Sequence, residues 1–310
     1  MSRVSPVCLF LFWSFVFTLS PPSHIGDASD EAKLTELLKG SDTVMSFLGG
    51  MALMFQGVEE IVVKAAKVLC LSLLFTPPPT SHPPPPPLAF PSLSSQAAGV
   101  RRFFPSEYGD GSYDINDPFF GGKMKVRQLA IDAGLEYTSI VSGGFFDFLF
   151  GMGSGINAHG HQATLVGDGN GSVYGVDLPD LAKYAVAILR DPESANKTIN
   201  AFSTSFTYNE LVKIFEELSG SKFNVTFETV ETAKEIAKSN PDFLVRLIYH
   251  IKVMFNTAAE VRQSDVAKYN IKQISVREKA KQILAAPPVQ FDVKAASEKY
   301  AAALATSGSQ

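Results

Sequence analysis

From residue 26 onward the hydrophobic positions alternate between short strand-length runs and stripes of helical period. Glu31 to Leu38 carries helical spacing and ends at Gly40. Asp42-Thr-Val-Met-Ser-Phe-Leu48 reads as a strand closing on Gly49-Gly50. A second helix runs to about Lys67, and Val100 to Phe104 forms the next strand. Gly122 to Gly134 is an amphipathic helix stopped by Gly134, followed by a strand from Tyr137 to Val141. Strands separated by helices, with glycines at the turns, predict a parallel α/β sheet whose ligands bind outside the carboxyl ends of its strands. Those ends are Ser46-Phe47-Leu48-Gly49, Pro105-Ser-Glu-Tyr-Gly109 and Ser142-Gly-Gly-Phe-Phe146.

The second half changes character. Gly167-Asp-Gly-Asn-Gly-Ser-Val-Tyr-Gly175 is a glycine-rich turn with a short strand, read as a hairpin and not as a phosphate cradle. An Asp180-led helix covers Leu181 to Leu189. Thr207-Tyr-Asn-Glu210 is a capping box opening a helix to Leu218. Phe223 to Val230 alternates as a strand, and helices follow around Glu231 to Lys238 and Pro241 to Phe255. These elements predict a smaller α/β lobe over residues 151–310. His250 lies in an apolar helix without a partner motif and reads as packing.

Two stretches break the pattern. Residues 68–96 have neither helical nor strand period and carry a proline run, so they cannot continue the helix they interrupt. Joining Lys67 to Ala97 restores a helix, a turn glycine at Gly99 and a buried strand. Val68 has codons beginning GT and Gln96 has CAG among its codons, the usual ends of an intron, so we read residues 68–96 as translated intron. The alternative is a solvated polyproline insertion of the kind that SH3 or WW domains bind. At the other break, Arg3 and the apolar run Val7 to Leu19 look like the first parts of a secretory signal, too short to span a membrane and without a small-residue cleavage site. Residues 1–23 are therefore expected to pack poorly, as are residues 68–96.

Composition narrows the functional classes. The chain has 310 residues, 45% of them hydrophobic, enough for a real core. Lys and Arg number 27 against 31 Asp and Glu, a formal net charge of −4, with no basic run; this argues against nucleic acid as a partner. Both cysteines, Cys8 and Cys70, sit in the two aberrant stretches, so the rest offers no thiolate for metal, disulfide or nucleophile. No metal site is expected. One residue stands out on its spacing: Lys123 lies i+3, i+7 and i+10 from Val126, Ala130 and Ala133, so it begins the apolar stripe of its helix and should point inward. Lys125 and Gln128 should point away. An inward lysine is either snorkelling or poised for proton transfer, and nearby Lys125 and Arg127 would lower its pKa.

These residues resemble the NmrA-like and isoflavone reductase-like branch of the atypical short-chain dehydrogenases. The resemblance is carried by Gly26-Asp27 with Asp30, by Ala97-Ala-Gly-Val-Arg-Arg-Phe-Phe-Pro-Ser-Glu-Tyr-Gly109, and by Lys123-Met-Lys-Val-Arg127 with Ala133-Gly134 and Tyr137-Thr138. Gly167-Asp-Gly, Asp180 and Asp191-Pro192 extend it. It implies a Rossmann-like parallel sheet binding NADP or NAD over residues 24–150, and a C-terminal substrate lobe. It implies Lys123 as the general acid/base, Ser46, Phe47 and Leu48 at the cofactor ribose, and Pro105, Ser106, Glu107 and Phe145 lining the nicotinamide. The activity implied is an NAD(P)H-dependent reduction of a small aromatic or conjugated substrate in the cytoplasm, with a homodimer left open. A non-catalytic dinucleotide sensor, a defective gene product and a secreted protein remain the alternatives.

The chain departs from that pattern in two places. The family opens with a strand and a G-x-x-G-x-x-G turn that holds the pyrophosphate. Residues 1–23 contain no glycine and are too few for two strands and a helix, so the first βαβ unit is expected to be missing. Where the plant reductases carry Asn after the sixth strand, this chain has Gly143.

Overall fold

Runs of apolar and β-branched residues bounded by glycine become parallel strands wherever both faces can be covered. The computed structural model describes residues 7–12, 15–17, 31–38, 41, 43–46, 100–111, 114–256 and 262–288. Its elements begin with β1 (Val7–Phe12), β2 (Phe15–Phe17), α1 (Glu31–Leu38), β3 (Thr43–Ser46), β4 (Arg102–Phe104), α2 (Gly121–Asp132), β5 (Glu136–Val141) and β6 (Gly144–Phe145). There follow α3 (Phe146–Leu149), β7 (Ile156–Asn157), β8 (Gln162–Val166), β9 (Val173–Val176), α4 (Leu178–Arg190), β10 (Lys197–Asn200) and β11 (Thr204–Phe206). The last are α5 (Tyr208–Ser219), β12 (Asn224–Glu228), α6 (Val230–Ser239), α7 (Phe243–Asn256) and α8 (Val276–Ala285).

The chain forms two units. The first comprises residues 1–107, 112–140 and 191–199. Its six-stranded sheet has the order β10-β5-β4-β3-β1-β2, with β1, β3, β4 and β5 paired in parallel. Val44 lies opposite Phe103 and Met45 opposite Phe104, and every residue of β3 and β4 is buried. Arg102 is buried as well. Its guanidinium donates to Thr138 Oγ1 at 3.0 and 2.6 Å and to Ser194 Oγ at 2.5 Å, fastening the turn that follows α4 to the sheet.

Helix α2 shows the expected sidedness. Lys123, Val126 and Ala130 are buried, while Lys125 and Gln128 are exposed. Its start is set by Asp117, whose carboxylate accepts from the amides of Phe119 and Phe120 at 2.9 and 2.7 Å. Gly134 ends it at φ +77°.

Within the apolar N-terminal run the described residues, Val7–Phe12 and Phe15–Phe17, depart from the expectation of poor packing. Val7–Phe12 pairs in parallel with β3 and Phe15–Phe17 turns back antiparallel on it, because a run of strand-forming residues completes the open edge of β3. The insertion at 68–96 lies outside the described residues.

The second unit comprises residues 108–111, 141–190 and 200–310. It contains two three-stranded sheets, β11-β9-β6 and β12-β8-β7, around a core rich in phenylalanine. Phe146 stacks on Phe150 with centroids 5.0 Å apart, and Phe206 meets Phe150 edge-on at 5.5 Å. The glycine-rich loop before β9 is not a hairpin: β8 and β9 belong to different sheets. Asn209 at the start of α5 ties that loop down, donating to Asp168 O and Asn170 Oδ1 at 2.9 and 2.8 Å. The capping box at Thr207 and Glu210 forms as expected.

Candidate functional site

In the first unit Ser46 and Pro105 stand at the ends of neighbouring strands. The register that sets Met45 beside Phe104 brings Ser46 beside Pro105 at the carboxyl ends of β3 and β4. Ser46 is fully buried and its hydroxyl has no hydrogen-bond partner among the described residues. A buried hydroxyl without a partner costs free energy unless a bound group satisfies it. Phe47 and Leu48 lie outside the described residues.

Past β4 the chain turns sharply, Glu107 N donating to Pro105 O at 2.8 Å. Ser106 and Glu107 are 1% and 0% exposed. The Glu107 carboxylate faces α2, where it accepts from Arg127 Nε at 2.7 Å and from Arg127 Nη2. That bond raises the pKa of the guanidinium above its ordinary value, against the opposing effect of burial.

Lys123 sits in the first turn of α2, 4% exposed, with Nζ 5.6 Å from the centroid of the Phe120 ring. The surroundings expected from sequence need correction. Lys125 is exposed and Arg127 is paired with Glu107, so the two cations do not bear on Lys123 as bare positive charges. Sequence spacing found the face of α2 on which Lys123 lies. It missed the Glu107–Arg127 pair, whose members come from different elements; the signal available was an acid just past the end of β4 and a base one turn after Lys123 on the next helix.

In the second unit Phe145 is half-buried in β6, just before α3. The turn leading to it is held by reciprocal bonds. Gly109 N donates to Ser142 Oγ at 3.0 Å, Gly143 N donates to Gly109 O at 2.9 Å, and Ser142 Oγ donates to Gly143 O at 3.0 Å. Gly143 has φ +63°, and a Cβ there would stand 2.5 Å from the carbonyl oxygen of Tyr174. The departure from Asn is therefore built into the backbone. Asp110, in the same loop, pairs with Arg262 at 3.6 Å.

Set against a nicotinamide dinucleotide, the residues fit at one end. The unpartnered Ser46 hydroxyl suits a ribose hydroxyl, and the buried Pro105–Glu107 turn gives a dry wall beside it. The diphosphate end is not supplied by the described residues: β1 passes into antiparallel β2, with no glycine turn leading from a strand into a helix. Among the described residues no group of three or more His, Cys, Asp or Glu side chains could hold a metal ion, and no helix is long and apolar enough to cross a membrane.

Comparison with known proteins extends these findings. The model of the NmrA-like family matches residues 94–283. The chain is 27% identical over 226 residues to the isoflavone reductase homolog IRL of Zea mays, covering 70% of this chain and 63% of that protein. It is 34% identical over 142 residues to pinoresinol reductase 1 of Arabidopsis thaliana, covering 42% and 45%. The chain thus spans less than two thirds of the length of these relatives. The solved binary complex of leucoanthocyanidin reductase with NADPH from Vitis vinifera matches with a TM-score of 0.63 at 18% identity, covering 84% of each chain. At that identity the likeness speaks for the fold.

Proposed function

The chain belongs to the NmrA-like family, and from that premise we propose that it is an NADPH-dependent reductase of the isoflavone reductase-like type, acting on a small aromatic or conjugated substrate. The observation that carries this reading is the buried Lys123, set on the first turn of the helix that follows β4. NADPH, when bound, supplies the hydride. Lys123 holds the proton that must accompany it, in surroundings dry enough to strengthen the transfer. Ser46 binds the ribose through its hydroxyl, and Pro105, Ser106, Glu107 and Phe145 line the nicotinamide, as the family resemblance implies. The names of the relatives, reductases of isoflavone and pinoresinol type, support the aromatic class. NADP over NAD is supported by the NADPH in the leucoanthocyanidin reductase complex. No part is assigned to nucleic acid or membrane, and the cytoplasm is the proposed location.

Gly143, and a diphosphate cradle not found among the described residues, weaken the reductase reading; a dinucleotide sensor without turnover and a defective product unable to bind cofactor are the other two. Loss of NADPH absorbance with a panel of phenolic and conjugated carbonyl or ether substrates separates the three. The reductase consumes NADPH, the sensor binds it without consuming it, and a defective product does neither. In the active case Lys123→Met is expected to lower kcat by about 100-fold or more with NADPH affinity kept. Unchanged turnover in that variant removes Lys123 from the chemistry.

A further inference from the structure

Arg127 follows Lys123 by one helical turn, so two cations lie near one another on α2. Like charges at that spacing and partly buried disfavour each other's charged forms. Only the lysine can respond, because a guanidinium does not give up its proton in proteins. Left alone, Arg127 would drive Lys123 toward the neutral amine, which cannot donate a proton to a substrate.

The fully buried carboxylate of Glu107 meets Arg127 with both oxygens, the bidentate geometry that best cancels a guanidinium charge. Among the described residues, Glu107 is the acid that pairs with Arg127. Lys125 is exposed. Asp117 accepts from the amides of Phe119 and Phe120 before α2. Tyr137 on β5 bears on Arg127. On β3, Ser46 is neutral.

We propose that Glu107 is a positioning residue that cancels the charge of Arg127 and thereby keeps Lys123 in its protonated, proton-donating form. The proposal rests on the reading of Lys123 as the donor, but its test does not pass through turnover. The full chain is labelled with 13C,15N-lysine and titrated while the Lys123 13Cε and 15Nζ resonances are followed, their assignment given by their loss in Lys123→Arg. Glu107→Gln is expected to lower the Lys123 midpoint by about one pH unit. Arg127→Gln is expected to raise it, and the double variant to return it to within a few tenths of the wild-type value. That return marks charge cancellation, since a packing role for Glu107 would not be rescued by removing Arg127. A wild-type midpoint in Glu107→Gln, or a double variant that stays low, overturns the proposal. If Glu107→Gln does not fold by far-UV circular dichroism, Arg127→Gln decides: a rise supports the proposal, and no change or a fall overturns it. Failure of the reductase reading is seen separately, as absence of NADPH binding and consumption in the wild-type protein.

Discussion

Gly143 illustrates what a single residue fixes. With φ at +63° and Tyr174 O 2.5 Å from where a Cβ would stand, both backbone conformation and space demand glycine. Asn tolerates a left-handed conformation, but its Cβ would still press on the β9 carbonyl. We expect Gly143→Asn to lower stability by about 2 kcal/mol, measured as a shift of the urea midpoint. A neutral effect would mean that β9 yields, and that the residue of the plant reductases can be restored without cost. Lys123 and Glu107 show how far single residues are legible in sequence. The helical period of Val126, Ala130 and Ala133 placed Lys123 on the inner face, because that depends on its neighbours along one helix. The partner of Glu107 was not legible: Arg127 lies 20 residues away, and only the packing of α2 on the end of β4 joins them.

Among the elements, α8 carries a buried lysine with two acidic partners. Lys279, 8% exposed, donates to Asp177 at 2.6 Å and pairs with Asp147 at 2.8 Å, tying α8 to the chain just before α4 and to α3. Burial alone would lower the pKa of this lysine, but the hydrogen bonds to Asp147 and Asp177 outweigh it and the pKa is raised. A raised folded-state pKa stabilises the native form fully below the ordinary lysine range, and that contribution fades as pH climbs through the folded value. Lys279→Met is therefore expected to cost about 3 kcal/mol near neutral pH, since it strands the buried Asp177, with the gap to wild type closing on the alkaline side. Urea unfolding at a series of pH values from neutral to strongly alkaline checks it; a gap that does not depend on pH would assign the loss to packing. The capping box of α5 was readable because Thr207 and Glu210 sit at a fixed local spacing. The glycine loop between β8 and β9 was misread as a hairpin, because glycine turns do not say which sheet the next strand will join.

For the whole molecule, the sharpest expectation concerns residues 68–96. If they are translated intron, joining Lys67 directly to Ala97 leaves the far-UV circular dichroism unchanged and the thermal midpoint equal or higher, because a long closure is removed. Loss of cooperative unfolding in that variant would mean the insertion belongs to the fold. The sequence by itself determined the class of architecture, the positions of most helices and strands, and the buried face of α2. Those follow from periodicity and turn chemistry, which act over a few residues. Tertiary structure decided the rest. It enrolled Val7–Phe12 as a sheet strand beside β3, sent β8 and β9 to separate sheets, left the Ser46 hydroxyl buried without a partner among the described residues and set Glu107 against Arg127. Each of these depends on which distant segment arrives alongside, and the cost of an uncovered strand edge or an unpaired buried charge is paid only once the chain has closed on itself.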